Sequence, residues 1–412
     1  MKKEPSAASG SEVVFLFTAF IAATYGFGVY LFPAIVEAIR VEIPFTYGTL
    51  GTISGLVQAG FMISAIAAGL LTLRYGPVPL ILGSVITCAL CLAGLAFAPN
   101  VVIISILLIV LGCCAVIVWV PMVEVARDVV STAHQGKALG LMSSGTSYGV
   151  FVNSVLMITI LPVYGWRWVW ATTAFLVGVL ALISIIRLRT LYARQSSNSN
   201  RDVANTIPLK ERFTLLAKPL PAVIFLMMFL NGLSCMPFQT YLSAFLQGEA
   251  NLSQVEAASA WRIVGIVGMV SGVVVGALAD RISVRHAMTI TYLILVSACL
   301  TLINVPSTKG DLLLIISAIC FGTAFYAVFG LVPAYISQVF GKGNAAIVFS
   351  FGNIALGLGG IVGNIAGGIL KEATGTFNSA YIAMAIAASL SALLSILMPS
   401  ERKFRTPTER KN

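Results

Sequence analysis

The chain has 412 residues, of which 58% are hydrophobic and only 10% charged, and its mean hydropathy is +0.97. A soluble domain carries about 25% charged residues, so the composition excludes a soluble globular protein and indicates a polytopic membrane protein. The net charge of +10 would suit a nucleic-acid binder. The positions of the charged residues, described below, instead explain this charge by contact with the membrane surface. Repeated apolar runs of about 20 residues predict helices rather than barrel strands.

Twelve apolar segments follow one another along the chain, each long enough to cross a bilayer as a helix. The predicted fold is an all-α membrane protein with twelve transmembrane helices in two pseudo-symmetric six-helix bundles. The first segment lacks the cleavage pattern of a signal peptide, so it is expected to remain as a helix. The predicted spans are 13–39, 46–72, 78–98, 101–127, 136–161, 166–187, 220–246, 254–279, 286–304, 311–339, 343–371 and 377–398.

A polar stretch with six Lys and Arg residues among Ser, Asn and Pro divides this series in two. The predicted parts are an N-terminal bundle (1–188), a cytoplasmic linker (189–218), a C-terminal bundle (219–400) and a cytoplasmic tail (401–412). A shift of 207 residues brings Gly69 onto Gly276 and Arg74 onto Arg281. Because such matches fall at the same helix ends in both bundles, the two bundles are expected to be repeats.

The distribution of Lys and Arg predicts the topology. With both termini inside, 20 of the 25 fall on the inner side, four on the outer side, and Arg262 lies within a span. Positive residues collect on the cytoplasmic side, so we expect a multi-pass protein of the cytoplasmic (inner) membrane with both termini cytoplasmic. The same bias explains the net charge, because the Lys and Arg residues on the inner side anchor the helices at the inner leaflet. The lipid bilayer is therefore the expected partner, and nucleic acid is not.

Glycine and proline sort the spans by role. Spans 2, 5, 8 and 11 carry 21 of the 37 glycines, and small residues let membrane helices approach closely. These four spans are expected to form the contact between the halves, with Gly359, Gly363 and Gly367 on one face of span 11. Proline loosens a helix, so the proline-bearing spans 1, 4, 7 and 10 are expected to surround a cavity that opens and closes. Their prolines are Pro33, Pro121, Pro237 and Pro333.

Span 8 contains the cation Arg262. An arginine in hydrocarbon is costly and usually faces a cavity or a partner, and no acid in the middle of a span is placed to neutralise it. A guanidinium in a water-filled cavity would bind an anion through two hydrogen bonds. The alternative is that Arg262 extends toward the outer face as an interfacial anchor beside Trp261.

Polar-tipped side chains lie on the proposed lining spans, and as a set they suit a mixed aromatic and hydrogen-bonding pocket. Each alone is more often a packing residue. Near the inner end of span 4, Glu124 is most simply an ion pair with Arg127, and a proton-carrying role is the alternative. Proton coupling, uniport and exchange all remain open. With Arg262, the predicted substrate-binding residues are Tyr25, Tyr30, Trp119, Asn231, Gln239 and Tyr326.

The loop after span 8 reads Gly-x-x-x-Asp-Arg at 276–281, and its counterpart after span 2 reads Gly-x-x-x-Leu-Arg at 69–74. Together with the segments 136–140 and 165–170, these residues resemble the major facilitator superfamily of secondary transporters. Within it, the likeness is nearest to bacterial organic-anion or monocarboxylate carriers. The resemblance implies that spans 1, 4, 7 and 10 line the central cavity and that spans 2, 5, 8 and 11 hold the halves together.

The resemblance also implies a gate. Asp280 and Arg281 would bond to neighbouring helix ends when the inner side is closed, although a topology anchor explains them as well. Leu73 stands where the family usually has Asp, so Asp128 is the candidate partner of Arg74. The predicted gating residues are Gly69, Arg74, Asp128, Gly276, Asp280 and Arg281.

These observations predict an alternating-access secondary transporter for a small solute, functional as a monomer. No nucleophile–base pair, metal cluster or phosphate loop is present in the sequence, so neither an enzyme nor a cofactor or metal site is expected. The predicted substrate is a small organic anion, on the strength of Arg262. Efflux of amphipathic compounds is the alternative, and a non-transporting receptor or scaffold is disfavoured by the short loops.

Overall fold

The computed structural model describes residues 7–130, 134–195, 216, 218–307 and 312–401. Within these residues twelve helices are long and apolar enough to cross a membrane, as predicted, and the protein is an all-α multi-pass membrane protein. Numbered as the spans, they are α1 (Gly10–Glu42), α2 (Tyr47–Thr72), α3 (Pro77–Ala96), α4 (Val101–Val123), α5 (Lys137–Thr159), α6 (Trp166–Arg187), α7 (Pro219–Gly248), α8 (Gln254–Ile282), α9 (Val284–Ile303), α10 (Leu312–Gly341), α11 (Asn344–Thr374) and α12 (Asn378–Leu397).

Local signals set several helix ends. The helical run of α2 continues to Tyr75 and ends at Gly76, whose φ of 81° is a backbone conformation that glycine adopts without strain. Pro77 then begins α3, where its missing N–H costs nothing. Asn100 caps α4 by accepting a hydrogen bond from the backbone N–H of Ile103 at 3.0 Å. Gly341, with φ of 69°, separates α10 from α11 within one helical run, so the predicted loop there is a single glycine kink.

Two compact units are present, and their bounds differ from those of the predicted bundles because Leu242–Ile266 groups with the first unit. One comprises Met1–Asn200 with Leu242–Ile266, and the other comprises Arg201–Tyr241 with Val267–Asn412. The helical run that contains α6 continues to Gln195, inside the predicted linker, while most of that linker lies outside the described residues. The two six-helix bundles with a linker and a tail therefore stay a prediction.

In the first unit α4 packs on α2 and α3, α3 packs on α6, and α5 packs on α1. In the second unit α9 packs on α12 and on the run formed by α10 and α11. Lipid tails are as apolar as leucine side chains, so these contacts are stabilised by close packing and hydrogen bonds rather than by escape from water.

The glycine face of α11 lies against a different helix from the one predicted. A Cβ at Gly359 would collide with the backbone carbonyl of Phe229 on α7, and one at Gly363 would lie 2.9 Å from the carbonyl oxygen of Leu233. These glycines therefore pack α11 onto α7 of the same predicted half. The expectation that this face joins the two halves is wrong, because the small residues are used where α11 crosses the proline-bearing helix beside it.

Candidate substrate path

The middle of α1 is a nine-residue π-helix, Ala22–Tyr30, between two α-helical segments. The segment contains Gly26, which lies against Gly149 of α5 so closely that a Cβ at Gly26 would approach the Gly149 carbonyl carbon to 2.9 Å. Only two facing glycines permit this approach of backbones. Wide π-turns within α-helices are rare and occur frequently at functional sites, so this part of α1 is a candidate for contact with a solute.

Asn153 of α5 bonds to this segment. Its Nδ2 donates to the Gly26 carbonyl oxygen at 2.7 Å, and the side chain is buried. Asn153 was not among the site residues predicted from the sequence. The signal was an amide in an apolar run, one turn after the Gly145-x-x-x-Gly149 pair that lies against α1.

Two of the predicted substrate residues, Tyr25 and Tyr30, lie on the π-helix. Tyr25 is half-buried, and its ring meets Phe61 of α2 edge-on with 5.9 Å between centroids. Tyr30, the last residue of the π-helix, is buried. Trp119, half-buried on α4, precedes Pro121 by two residues. The first unit thus holds three of the predicted aromatic contacts on its proline-bearing helices α1 and α4.

The predicted amide contacts of α7 are both buried. Asn231 is 2% exposed, and its Oδ1 accepts a hydrogen bond from the Cys235 thiol at 3.2 Å. Gln239 is 7% exposed, with Nε2 at 3.6 Å from the sulfur of Met236. Both amides have partners on their own helix, and their role in substrate binding stays a prediction.

Aromatic rings form a continuous row in the second unit. Phe238 of α7 stacks on Phe321 of α10 with centroids 4.0 Å apart. The row continues along α10 through Phe325, which lies 5.4 Å from Phe321 and 5.1 Å from the predicted substrate residue Tyr326. Phe325 also meets Phe329, at 5.3 Å. Tyr326 is half-buried and Phe329 is 40% exposed, so the row extends from the core of this unit to its surface.

Arg262 is exposed and makes no hydrogen bond or ion pair with any residue that the structure describes. It shares one face of α8 with Ile266, Val270 and Val273, which are four, eight and eleven residues further on. These three side chains are 48%, 55% and 77% exposed. The guanidinium is therefore available to a ligand, but it lies on the most exposed apolar stripe of α8.

Its neighbour Trp261 is fully enclosed. The indole N–H of Trp261 donates to the hydroxyl of Ser243 on α7 at 2.8 Å, and this hydroxyl donates to the Ala34 carbonyl oxygen on α1 at 2.9 Å. We call these three residues the outer-end network, since they lie toward the helix ends predicted to face outside. At the same end Gln254 donates to the Met157 carbonyl oxygen of α5 at 3.2 Å. The first part of α8 thus belongs to the first unit.

Most of the predicted gating residues are exposed or have free space around them. Gly69 and Gly276 have no atom within 4 Å of the position that a Cβ would occupy. Arg74 is exposed and lies 5.3 Å from the Tyr75 ring centroid. Asp280 is exposed and bonds to no residue in the described part of the chain, while Arg281 is exposed as well. The side chains of Asp128 and Glu124 lie outside the described residues, so the proposed Arg74 pairing and the proton-carrying role are untested.

Among the described residues, twelve helices can span a membrane, and several of them carry prolines, aromatic rings and buried amides, as is typical of membrane transporters. The chain belongs to the Major Facilitator Superfamily, whose family model matches residues 16–364. It is a secondary transporter of a small solute, and its family and fold are those of transporters rather than of enzymes.

The chain is similar to the multi-drug resistance efflux pump PmrA of Streptococcus pneumoniae serotype 4, with 25% identity over 82% of each chain. Its fold matches the crystal structure of a point mutant of the nucleoside transporter NupG with a TM-score of 0.76 and 13% identity, over 93% of this chain and 99% of that one. A bacterial homologue of the human lysosomal transporter Spinster matches with a TM-score of 0.68 and 15% identity, over 95% and 96%.

Proposed function

We propose that the protein exports an amphipathic organic solute with an aromatic or apolar body. The observation that carries this proposal is the chemistry of the predicted recognition residues. Apart from Arg262, all of them are uncharged, and four carry aromatic rings. Tyr326 also continues the row of rings in the second unit. Aromatic faces and a few hydrogen-bonding groups suit a solute with a large apolar surface and few charges.

The likeness to an efflux pump supports the outward direction. PmrA is named as a multi-drug resistance efflux pump, and the similarity covers 82% of this chain. A likeness of 25% identity supports a shared general task, the export of a solute, rather than a shared substrate. The described carboxylates of α1 are all paired: Glu12 with Arg187, Glu37 with Arg40, and Glu42 with Arg167. A solute with a positive charge would therefore find no free carboxylate among the described side chains of α1.

A small organic anion is the second candidate, and it rests on one observation. Arg262 is exposed and has no partner among the described residues, so its guanidinium could hold a carboxylate with two hydrogen bonds. Its apolar stripe of Ile266, Val270 and Val273 favours the interfacial anchor instead. The two candidate functions therefore predict different effects of substituting Arg262 on transport.

Substitution of Arg262 separates the two candidates. Cells that express the wild-type chain should accumulate less radiolabelled chloramphenicol, a neutral amphipathic aromatic, than cells without it. Arg262→Ala should leave this difference unchanged, because an interfacial anchor does not contact the solute. The second candidate expects uptake of benzoate that weakens in Arg262→Lys and disappears in Arg262→Ala. Benzoate uptake with that dependence, and no effect on chloramphenicol, would replace the first proposal with the second.

We further propose that the protein lies in the cytoplasmic membrane as a monomer, with both termini and the 189–218 segment in the cytoplasm. The 20-to-4 charge bias supports this orientation. A cysteine placed at Ser197 should resist a membrane-impermeant maleimide in intact cells and react after the cells are opened. Equal labelling in intact and opened cells would contradict the orientation.

A further inference from the structure

The hydrogen bond between Asn153 and Gly26 joins α5 to the π-helical part of α1. Asn153 is 2% exposed, and its Nδ2 lies 2.7 Å from the Gly26 carbonyl oxygen. A buried amide is costly without partners, so this bond fixes both the amide and the carbonyl. The Oδ1 of Asn153 has no partner among the described residues, which leaves the bond to Gly26 as the contact through which this side chain acts on α1.

The π-helical segment of α1 is longer than its own backbone hydrogen bonds usually sustain, so a side chain from another helix can stabilise it. In a π-turn the backbone bonds run from residue i to residue i+5 and are seldom sustained beyond one turn, whereas this segment has nine residues. The Asn153 bond and the backbone contact of Gly26 with Gly149 stabilise α1 at the centre of the wide segment.

The wide turn changes which side chains share a face. In an α-helix with 3.6 residues per turn, Tyr25 and Tyr30 would point about 140° apart. In a π-helix the fifth residue returns to nearly the same side, as the fourth does in an α-helix. The π-helix therefore brings together two tyrosines that an α-helix would separate.

We propose that Asn153 is a positioning residue for solute recognition. It holds Ala22–Tyr30 in the π-helical form and thereby keeps Tyr25 and Tyr30 on one side of α1, where both can contact the solute. This inference rests on the proposed function in one respect, namely that the α1 tyrosines contact the transported compound. Asn153 itself lies on α5 and is buried against the Gly26 backbone of α1.

The test compares Asn153→Leu with Asn364→Leu. Leucine has the same number and branching of side-chain heavy atoms as asparagine and removes the donor. Asn364 is an equally buried amide on α11, at 3% exposure, whose side chain bonds to no described residue. In proteoliposomes, Asn153→Leu should raise the KM for chloramphenicol about tenfold, the weight of one buried hydrogen bond, with Vmax within about twofold. Asn364→Leu should leave KM unchanged.

A double-mutant cycle shows whether Asn153 acts through the tyrosines. Tyr25→Phe alone should raise KM, and adding Asn153→Leu should raise it by less than the product of the two single effects. Independent, multiplicative effects would overturn the inference, since a merely structural role would act on KM without regard to Tyr25. A change of KM in Tyr25→Phe with none in Asn153→Leu would overturn it as well, while the proposed function would stand.

A second measurement does not depend on the solute. Hydrogen–deuterium exchange of the amides of residues 22–30 should be faster in Asn153→Leu than in wild type and unchanged in Asn364→Leu. If wild-type protein carries no chloramphenicol, the proposed function fails, and this exchange measurement alone decides the inference. Unchanged exchange in Asn153→Leu would refute the positioning role.

Discussion

Replacing Gly359 with alanine should destabilise the folded protein by about 1–3 kcal/mol, the usual cost of overpacking. The new methyl group would meet the backbone carbonyl of Phe229. A backbone atom cannot rotate away as a side chain can, so α7 and α11 would have to separate. Thermal unfolding of the purified protein in detergent measures the effect as a lower melting temperature.

The matched control is Gly330→Ala on α10, where no atom lies within 4 Å of the new Cβ. Alanine is favoured over glycine inside a helix by about 1 kcal/mol, so this variant should be as stable as wild type or more so. The two identical chemical changes should therefore act in opposite directions. Equal melting temperatures in both variants would contradict the close α7–α11 contact.

Truncating Trp261 to alanine should have the larger effect, about 3 kcal/mol or more. The indole is 2% exposed and bonds to the hydroxyl of Ser243, which in turn bonds to the Ala34 carbonyl oxygen. Its loss would leave a cavity where α1, α7 and α8 meet. The expected readout is a melting temperature well below that of wild type, with weaker transport because the outer-end network no longer joins these helices.

Trp168→Ala on α6 controls for the removal of a tryptophan as such. Trp168 is 60% exposed, so its truncation opens no internal cavity. Trp261→Phe separates packing from hydrogen bonding, since it keeps a ring and removes the N–H. Its cost should be near that of one hydrogen bond, about 1 kcal/mol. If Trp261→Ala is no less stable than Trp168→Ala, the outer-end network does not stabilise the protein.

The twelve helices could be predicted from sequence because hydrocarbon allows few spanning structures and hydropathy reports them directly. The π-helix of α1 could not. No residue type marks a π-turn, and Ala22–Tyr30 reads as an ordinary apolar helix. Its form depends on a contact with Gly149 and Asn153, more than a hundred residues away, which only the folded structure reveals.

The glycine pattern shows a second limit. Spacing by four residues placed Gly359, Gly363 and Gly367 correctly on one face, since helical periodicity is local. It did not identify the helix that this face meets, because any neighbour benefits from small residues in the same way. Likewise the sequence identified Arg262 as an unusual charge within a span. The direction in which its side chain points depends on the rotation of α8 about its axis, and the hydrogen bond from Trp261 to Ser243 shows that rotation.

The central claim is that the protein moves an amphipathic aromatic solute along helices that include the π-helical part of α1. Flux of radiolabelled chloramphenicol into proteoliposomes that contain the purified protein tests it most directly. We predict saturable flux above that of protein-free liposomes, with a raised KM in Tyr25→Phe and an unchanged KM in Arg262→Ala. Absence of chloramphenicol flux, together with benzoate flux that Arg262→Ala abolishes, would contradict the claim.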